Sequence, residues 1–232
     1  IQMTKALGGN TPDFAHHSLL IGAQGEPLSK RIGTLSLRDM RRDGISPQAL
    51  ISLMSRLGSS QPVELQSDMA QVAQSFELSE FGAAPTKFDK EDLFPLTSRY
   101  LQTLPIGMVA DDVAKAGVPS HVADAFWRVV RENIVTLHDL SGWWHICSEG
   151  ADPVIAEEDI VFVDQAMALL PDGPYTDETW RVWTSEVKKK TGRKGKSLYM
   201  PLRLALTGKA QGPDMSSLLP LLQKVKTKIV NG

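Results

Sequence analysis

Cysteine is almost absent from this sequence of 232 residues, which contains only Cys147. A single thiol cannot form an internal disulfide, and such cysteine usage is typical of a reducing compartment. No G-x-S-x-G motif or other nucleophile signature is present. We therefore expect Cys147 to be a small buried apolar residue and not a catalytic one.

Long apolar runs are also missing. No stretch approaches the roughly 18 to 20 consecutive apolar residues that cross a bilayer, and the N-terminus lacks a basic start followed by an apolar core. We therefore expect a cytoplasmic protein that binds no membrane. The opening IQMTKALGG is typical of the end of a helix that stops at Gly8 and Gly9, and no helix start signal precedes it. This pattern predicts a fragment of a longer protein.

The spacing of metal ligands is lacking as well. His16 and His17 are adjacent, so on a strand they would point to opposite faces, and no nearby Cys or carboxylate completes a tetrahedral site. His138 and His145 lie seven residues apart, but no further ligand joins them. We expect no metal site.

The segment TGRKGKS (191–197) lacks the spacing of a nucleotide-binding P-loop. That loop needs four residues between its first glycine and the Gly-Lys pair, because its backbone N–H groups must curl around the phosphates. Here only Arg193 and Lys194 stand between Gly192 and Gly195, and a helix-like sequence precedes them. What remains is a basic loop that enters a helix, which suits the backbone of a nucleic acid.

Charge is present but unevenly distributed. The formal net charge is −2, yet residues 149–186 contain ten acidic residues and one basic residue, Arg181. Residues 188–209 contain eight basic residues and no acidic one: Lys188, Lys189, Lys190, Arg193, Lys194, Lys196, Arg203 and Lys209. This asymmetry favours a surface that attracts polyanions. The alternative is a solvated, lysine-rich helix end.

Helical periodicity predicts a mainly α fold. Ser36 and the pair Ser46–Pro47 are start signals for two successive helices that stop at Gly44 and Gly58. Further helices are predicted over 62–75, 90–103, 105–118, 120–133, 137–146, 156–170, 177–190, 200–205 and 216–229. Only the first 35 residues differ, because 14–22 and 23–31 predict two short strands around a turn at Gln24 and Gly25.

A second basic cluster closes this strand region, in EPLSKR (26–31). Its Lys-Arg pair can neutralise a polyphosphate and its serine can donate a hydrogen bond, although an exposed basic turn is the simpler interpretation. Arg38, Arg41 and Arg42 on the following helix extend the positive surface.

These clusters occur in order in one known family. PDFAHHSLLIGAQGEPLSKRIGTLSLRDMRRDGISPQALISLMSRLG (12–58) closely resembles the end of the catalytic core and the start of the next domain in bacterial glutamyl-tRNA synthetases, which are class I synthetases. The family's loop reads K-[LIM]-S-K-[RS], and its second lysine binds ATP phosphates. Pro27 replaces the first lysine, and the rest of the motif matches. The resemblance implies that Ser29, Lys30 and Arg31 bind ATP.

The C-terminal part carries the same resemblance. GRKGKSLYMPLRLALTGKAQGPDMSSLLPLL (192–222) is similar to the family's distal anticodon-binding subdomain, and FDKEDLFPLTSRYL (88–101) to the segment that leads into the first one. The resemblance implies helical bundles with a small β remnant at the N-terminus. It also implies four parts: a catalytic tail with the signature loop (1–34), a helical stem-contact region (35–85), and two anticodon-binding subdomains (86–150 and 151–232).

The resemblance further implies a function. The intact enzyme would attach glutamate to tRNA(Glu) with ATP and Mg²⁺, and the sequence leaves open whether tRNA(Gln) is also a substrate. No His-x-Gly-His motif occurs, so we expect no complete catalytic set and no activity from this part alone. We expect a monomer that binds tRNA and no DNA.

Six residues are candidate tRNA contacts. Three are expected to contact the RNA backbone and three to read bases: Arg193, Lys194 and Lys196, and Arg203, Leu206 and Thr207. For the reading set the alternative is that Leu206 is a core residue and Arg203 a surface helix residue. Two other functions stay open: a free-standing helical RNA-binding protein that acts in trans without catalysis, and a helical scaffold whose basic loop contacts an acidic protein.

Overall fold

The computed structural model describes residues 1–28 and 36–226. Most of these residues lie in short α- and 3₁₀-helices, and the sheet found among them is a pair of three-residue strands. The predicted mainly α fold with a small β element is thereby confirmed. The chain forms two compact units, Ile1–Tyr100 and Leu101–Gly232. No helix among the described residues has the length and apolar character to span a membrane.

Among its described residues, unit 1 contains five α-helices and both strands of the sheet. In chain order these are α1 Gln2–Ala6, β1 Leu20–Gly22, α2 Leu37–Arg42, α3 Pro47–Met54, α4 Met69–Ser75, a 3₁₀-helix Leu78–Glu80, β2 Thr86–Phe88, a 3₁₀-helix Lys90–Asp92 and α5 Leu93–Thr103, whose last three residues belong to unit 2. Met40, Ile45, Leu53, Phe88 and Leu93 are buried together as its core.

The predicted start signals in unit 1 are confirmed. The Oγ of Ser36 accepts a hydrogen bond from the Asp39 N–H at 3.1 Å and so caps α2. The Oγ of Ser46 accepts one from the Ala49 N–H at 3.1 Å, and Pro47 occupies the first position of α3. α3 ends at Met54, four residues before the predicted stop.

Two predictions for unit 1 are wrong. In its described part, residues 23–28, the second predicted strand is reduced to one bridge between Ile21 and Pro27, and β1 pairs in parallel with the distant β2 instead. Residues 29–31 of that prediction lie outside the described residues. The helix predicted over 62–75 begins only at Met69. The Asp68 side chain caps it there by accepting the Gln71 N–H at 2.9 Å.

In the described residues of unit 2, the regular secondary structure consists of α- and 3₁₀-helices alone. After the end of α5 it contains a 3₁₀-helix Ile106–Met108, α6 Ala110–Lys115, α7 Ser120–Val130, a 3₁₀-helix Arg131–Asn133, α8 Asp139–Glu149, a 3₁₀-helix Glu157–Asp159, α9 Ile160–Met167, α10 Thr179–Thr191, α11 Lys196–Thr207, α12 Met215–Leu218 and a 3₁₀-helix Leu219–Leu221. The predicted helix over 216–229 is wrong in its described part, because α12 stops at Leu218 and one 3₁₀ turn containing Pro220 follows.

A single aromatic-rich core fills unit 2. Trp127 and Trp183 are 1% exposed, and their indole N–H groups donate to the carbonyls of Leu104 and Ala166, each at 2.8 Å. Cys147 is fully buried in this core, as predicted, and burial raises the pKa of its thiol to about 12. Core residues lie on both sides of Gly150. The proposed division at residue 150 therefore stays a prediction.

Candidate functional site

A basic loop joins α10 to α11. The name covers residues 188–196, which are the last turn of α10, the connecting residues 192–195 and the first residue of α11. Gly192 ends α10 in the left-handed conformation with φ +71°. The five lysines of the loop, Lys188, Lys189, Lys190, Lys194 and Lys196, are all exposed. α11 then begins at Lys196 without a side-chain cap. The loop is therefore a solvent-facing group of cations beside the free N–H groups of a helix start.

Arg193 is the exception within the basic loop, because its guanidinium points back to the protein. It forms an ion pair with Asp159 and lies 4.1 Å from the ring centroid of Phe162. Its Nη1 also donates to the Ser197 carbonyl at 3.3 Å. Pro201 in α11 has no N–H to offer that carbonyl, so Arg193 supplies the missing donor. The side chain thus holds the loop in place.

An open cavity of about 570 Å³ lies at the other end of α11. Its walls come from the segment before α8, the first turns of α8 and the turn after α11: Glu132, Asn133, Val135, His138, Asp139, Ser141, Gly142, Trp143, Lys209, Gln211 and Gly212. The volume lies within the range of small-molecule sites.

Side-chain hydrogen bonds fix these walls. A carboxylate oxygen of Asp139 accepts the N–H groups of Val135 at 2.8 Å and Thr136 at 3.0 Å. The Thr207 hydroxyl donates to the Arg203 carbonyl at 2.7 Å and accepts the Lys209 N–H at 3.1 Å. The cavity is therefore preorganised on both sides.

Gly212 and Trp143 are packed so closely that no side chain fits between them. A Cβ at Gly212 would lie 2.3 Å from Cη2 of Trp143, and the residue has φ +151°. The Nζ of Lys209 lies 5.6 Å from the centroid of the Trp143 ring, which places a cation over an aromatic face at the cavity.

Arg203 packs beside Gly212 but does not itself line the cavity. Its Nη2 donates to the Pro213 carbonyl at 2.6 Å, whereas its Nη1 is buried and has no hydrogen-bond partner among the described residues. That Nη1 is 3.4 Å from the position of a Gly212 Cβ. Burial lowers the pKa of the Arg203 guanidinium. A buried donor without a partner costs about 1 to 3 kcal/mol, so this packing carries a cost that the described residues do not offset.

The structure places the other predicted contacts differently. Leu206 and Thr207 are 3% and 2% exposed, so their side chains contribute to the core and to the turn rather than to an open surface. Ser29, Lys30 and Arg31 lie outside the described residues. Sequence reasoning did not select Trp143 or Gly212 for the site, because Trp143 fits a core pattern and a lone glycine carries no signal. Among the described residues, no group of three His, Cys, Asp or Glu side chains is arranged to hold a metal ion.

Two family models match the chain. One is described as "tRNA synthetases class I (E and Q), catalytic domain" and matches residues 1–95. The other is described as "Anticodon binding domain" and matches residues 124–228, which include the basic loop and the cavity.

Curated proteins are similar along nearly the whole chain. "Glutamate--tRNA ligase 1" of Ruegeria pomeroyi is 60% identical over 228 residues, which are 98% of this chain and 52% of that protein. The protein of the same name from Roseobacter denitrificans is 61% identical over 228 residues, again 98% of this chain and 52% of that protein. The chain thus spans about half the length of the curated relatives it matches.

Solved structures share the fold at low identity. The crystal structure of glutamate-tRNA synthetase from Elizabethkingia anophelis superposes with a TM-score of 0.71 at 20% identity, over 95% of this chain and 50% of that one. A glutamate tRNA ligase from Elizabethkingia meningosepticum, solved in complex with its amino acid, gives a TM-score of 0.70 at 20% identity, over 95% of this chain and 51% of that one.

Proposed function

Because the chain belongs to the glutamate–tRNA ligase family, we propose that it is the tRNA-binding part of an enzyme that attaches glutamate to tRNA(Glu) with ATP. The observation that carries this proposal is the preformed cavity whose wall holds the Nζ of Lys209 over the ring of Trp143, within the residues that match the anticodon-binding family model. A preformed cavity with a cationic donor and an aromatic ring suits an unstacked anticodon base, since such bases are read by hydrogen bonds to their edges and by stacking.

The basic loop would hold the RNA backbone. Lys194 and Lys196 are exposed. Neutralising phosphates with such lysines releases counterions, so this part of the affinity should fall as salt rises. Arg193 would act as a positioning residue, because its guanidinium is already engaged by Asp159 and Phe162.

The base-reading role is proposed for the cavity wall that Arg203 supports through its hydrogen bond to the Pro213 carbonyl. The Nζ of Lys209 would donate to a carbonyl or ring-nitrogen acceptor of the base, and Trp143 would form the adjacent wall. Leu206 and Thr207 would support this wall from within, because they are buried. Which base is read, and whether tRNA(Gln) is also accepted, depends on contacts around Glu132 and Asn133, which line the same cavity.

The remaining parts of the proposal concern the whole enzyme. Ser29, Lys30 and Arg31 would hold ATP phosphates and stabilise the charge on the leaving pyrophosphate, and ATP with Mg²⁺ would supply the adenylyl group that activates the glutamate carboxylate. We also propose domain boundaries at residues 34, 85 and 150, a monomeric state and a cytoplasmic location. Holding tRNA in register would place its acceptor end at the active site.

The test is selective retention of tRNA by the chain in a filter-binding assay. We expect it to retain tRNA(Glu) better than an unrelated tRNA and to form no glutamyl adenylate. Reversing both lysines, in Lys194→Glu/Lys196→Glu, should weaken binding and flatten its dependence on salt between about 50 and 200 mM. Lys115→Glu, at an exposed lysine of α6, is the control.

Four results would contradict the proposal or a part of it. Equal retention of all RNAs would support a non-selective RNA-binding protein, and no retention would support the scaffold function. Robust pyrophosphate exchange by the chain would contradict its assignment as a part without a complete active site. Unchanged affinity of the doubly reversed variant would remove the basic loop from the interface.

A further inference from the structure

We propose that Tyr199, braced by Trp180, is a stacking platform for one unpaired base of the bound RNA, outside the cavity described above. This inference rests on the proposed function and adds a contact to it. The platform lies on α11, one turn before Arg203. Neither aromatic residue is needed to form the cavity, since neither lines it.

The ring of Tyr199 is exposed but held in place. The residue is 46% exposed, although it lies on a helix whose other large side chains are mostly buried. Its ring centroid is 6.2 Å from that of Trp180, with 37° between the planes. Trp180 in turn packs at 5.5 Å against the buried Trp183. A series of rings thus connects the exposed tyrosine to the core, which lowers the entropy that a stacking partner must offset.

The charges around the platform favour a polyanion. Lys196 lies three residues before Tyr199 on the same helix, so the two side chains are neighbours on its surface. Residues 187–213 contain no acidic residue. The acidic neighbour of Trp180, Glu178, is paired with Arg181. An aromatic face beside unpaired cations is the arrangement by which proteins bind single-stranded nucleic acid.

The position on α11 matches the spacing of a nucleotide chain. Tyr199 and Arg203 are four residues apart, so they share one side of the helix and lie about 6 Å apart along its axis. Successive stacked bases of one strand are about 3.4 Å apart. One RNA strand can therefore place one base on Tyr199 and another, one or two positions away, near Arg203, which packs beside the cavity residue Gly212.

The experiment compares two RNAs and three variants. The probes are an anticodon stem-loop of tRNA(Glu) and a fully paired RNA duplex of equal length, which offers no unpaired base. Tyr199→Leu should weaken stem-loop binding about 5- to 150-fold, the range for losing one base–aromatic stack, and leave duplex binding unchanged. The slope of its logarithmic affinity against logarithmic salt concentration should equal that of the wild type, because the substitution removes no charge.

Two further variants separate stacking from folding. Tyr199→Phe keeps the ring and should bind like the wild type. Val161→Ala, at a 67% exposed residue of α9, is the matched surface control and should also be unchanged. Ultraviolet crosslinking should attach the stem-loop to the tryptic peptide SLYMPLR (197–203), which contains Tyr199.

The outcomes distinguish this inference from the proposed function. If the wild type binds the stem-loop and Tyr199→Leu binds it equally well, the platform is refuted and the proposed function stands. If Tyr199→Phe is as weak as Tyr199→Leu, stacking is refuted, since the ring alone should suffice. If the wild type does not bind the stem-loop, the proposed function fails and the platform fails with it.

Discussion

At the scale of single residues, the site depends on side-chain contacts that cannot be read from its sequence. Arg203 is a predicted base-reading residue, but nothing in the sequence shows that one of its nitrogens is bonded to Pro213 while the other lacks a partner. Arg193 looks like one more cation of the basic loop, and only the fold reveals Asp159 and Phe162 around it. Charge can be counted along a chain, whereas its pairing requires three-dimensional neighbours.

Gly212→Ala should destabilise the protein and impair the cavity. The new Cβ would lie 2.3 Å from Trp143 at φ +151°, a conformation that side chains rarely adopt. We expect a loss of about 1 to 3 kcal/mol in the free energy of unfolding, measured by urea titration, together with weaker tRNA binding.

Gly107→Ala is the matched control for this substitution. A Cβ at Gly107 meets no atom within 4 Å, and its φ is not positive. This variant should remain within about 0.5 kcal/mol of the wild type. An equal urea midpoint for Gly212→Ala and Gly107→Ala would show that the turn can yield, and would count against a rigid wall at Trp143.

At the scale of elements, a strap formed by residues 222–226 covers the end of α8. Lys224 pairs with Glu149 at 2.6 Å, and Lys226 pairs with Asp152 at 2.5 Å. The hydrogen bond from Lys224 lowers the pKa of Glu149, and the one from Lys226 lowers the pKa of Asp152. A lowered pKa means that the folded state favours the ionised form. The stabilisation is thus present above the unfolded pKa and lost as pH falls through the folded one.

The strap should therefore loosen in acid. The Gln223 N–H, which donates to the Cys147 carbonyl at 2.7 Å, reports this in hydrogen exchange. We expect its protection factor to fall in acid, once the pH is low enough to protonate both carboxyls, whose pKa values are lowered in the folded state. In Glu149→Gln/Asp152→Asn the protection should already be low at neutral pH. Glu186→Gln, at an exposed residue of α10, is the control, and equal protection in both variants would exclude the ion pairs as the cause.

The sequence predicts the elements that carry strong local signals. Ser36 and Ser46 mark helix starts that the structure confirms, because their caps depend only on residues three positions away. β2 was not predicted, since three residues that pair with a strand more than 60 positions earlier leave no local pattern. The end of α12 was missed because the periodicity of leucines outweighed Pro220 in the prediction.

At the scale of the whole molecule, the two compact units differ in their aromatic content. All five tryptophans lie between residues 127 and 183, so unit 1 contains none. Each unit has its own buried core. Tryptophan fluorescence therefore reports on unit 2, whereas far-ultraviolet circular dichroism reports on the helices of both units.

We expect urea unfolding to be probe-dependent. Unit 1 has the smaller core, so circular dichroism should begin to change at lower urea than fluorescence. Labelling of Cys147, which is buried in the core of unit 2, should follow the fluorescence curve. Coincident transitions by all three probes would show instead that the chain unfolds as one cooperative unit.

The core of unit 2 continues across Gly150, where Cys147 and Ala151 are buried on either side. Cutting the chain there would expose apolar surface on both pieces, and neither piece would keep its full set of packing partners.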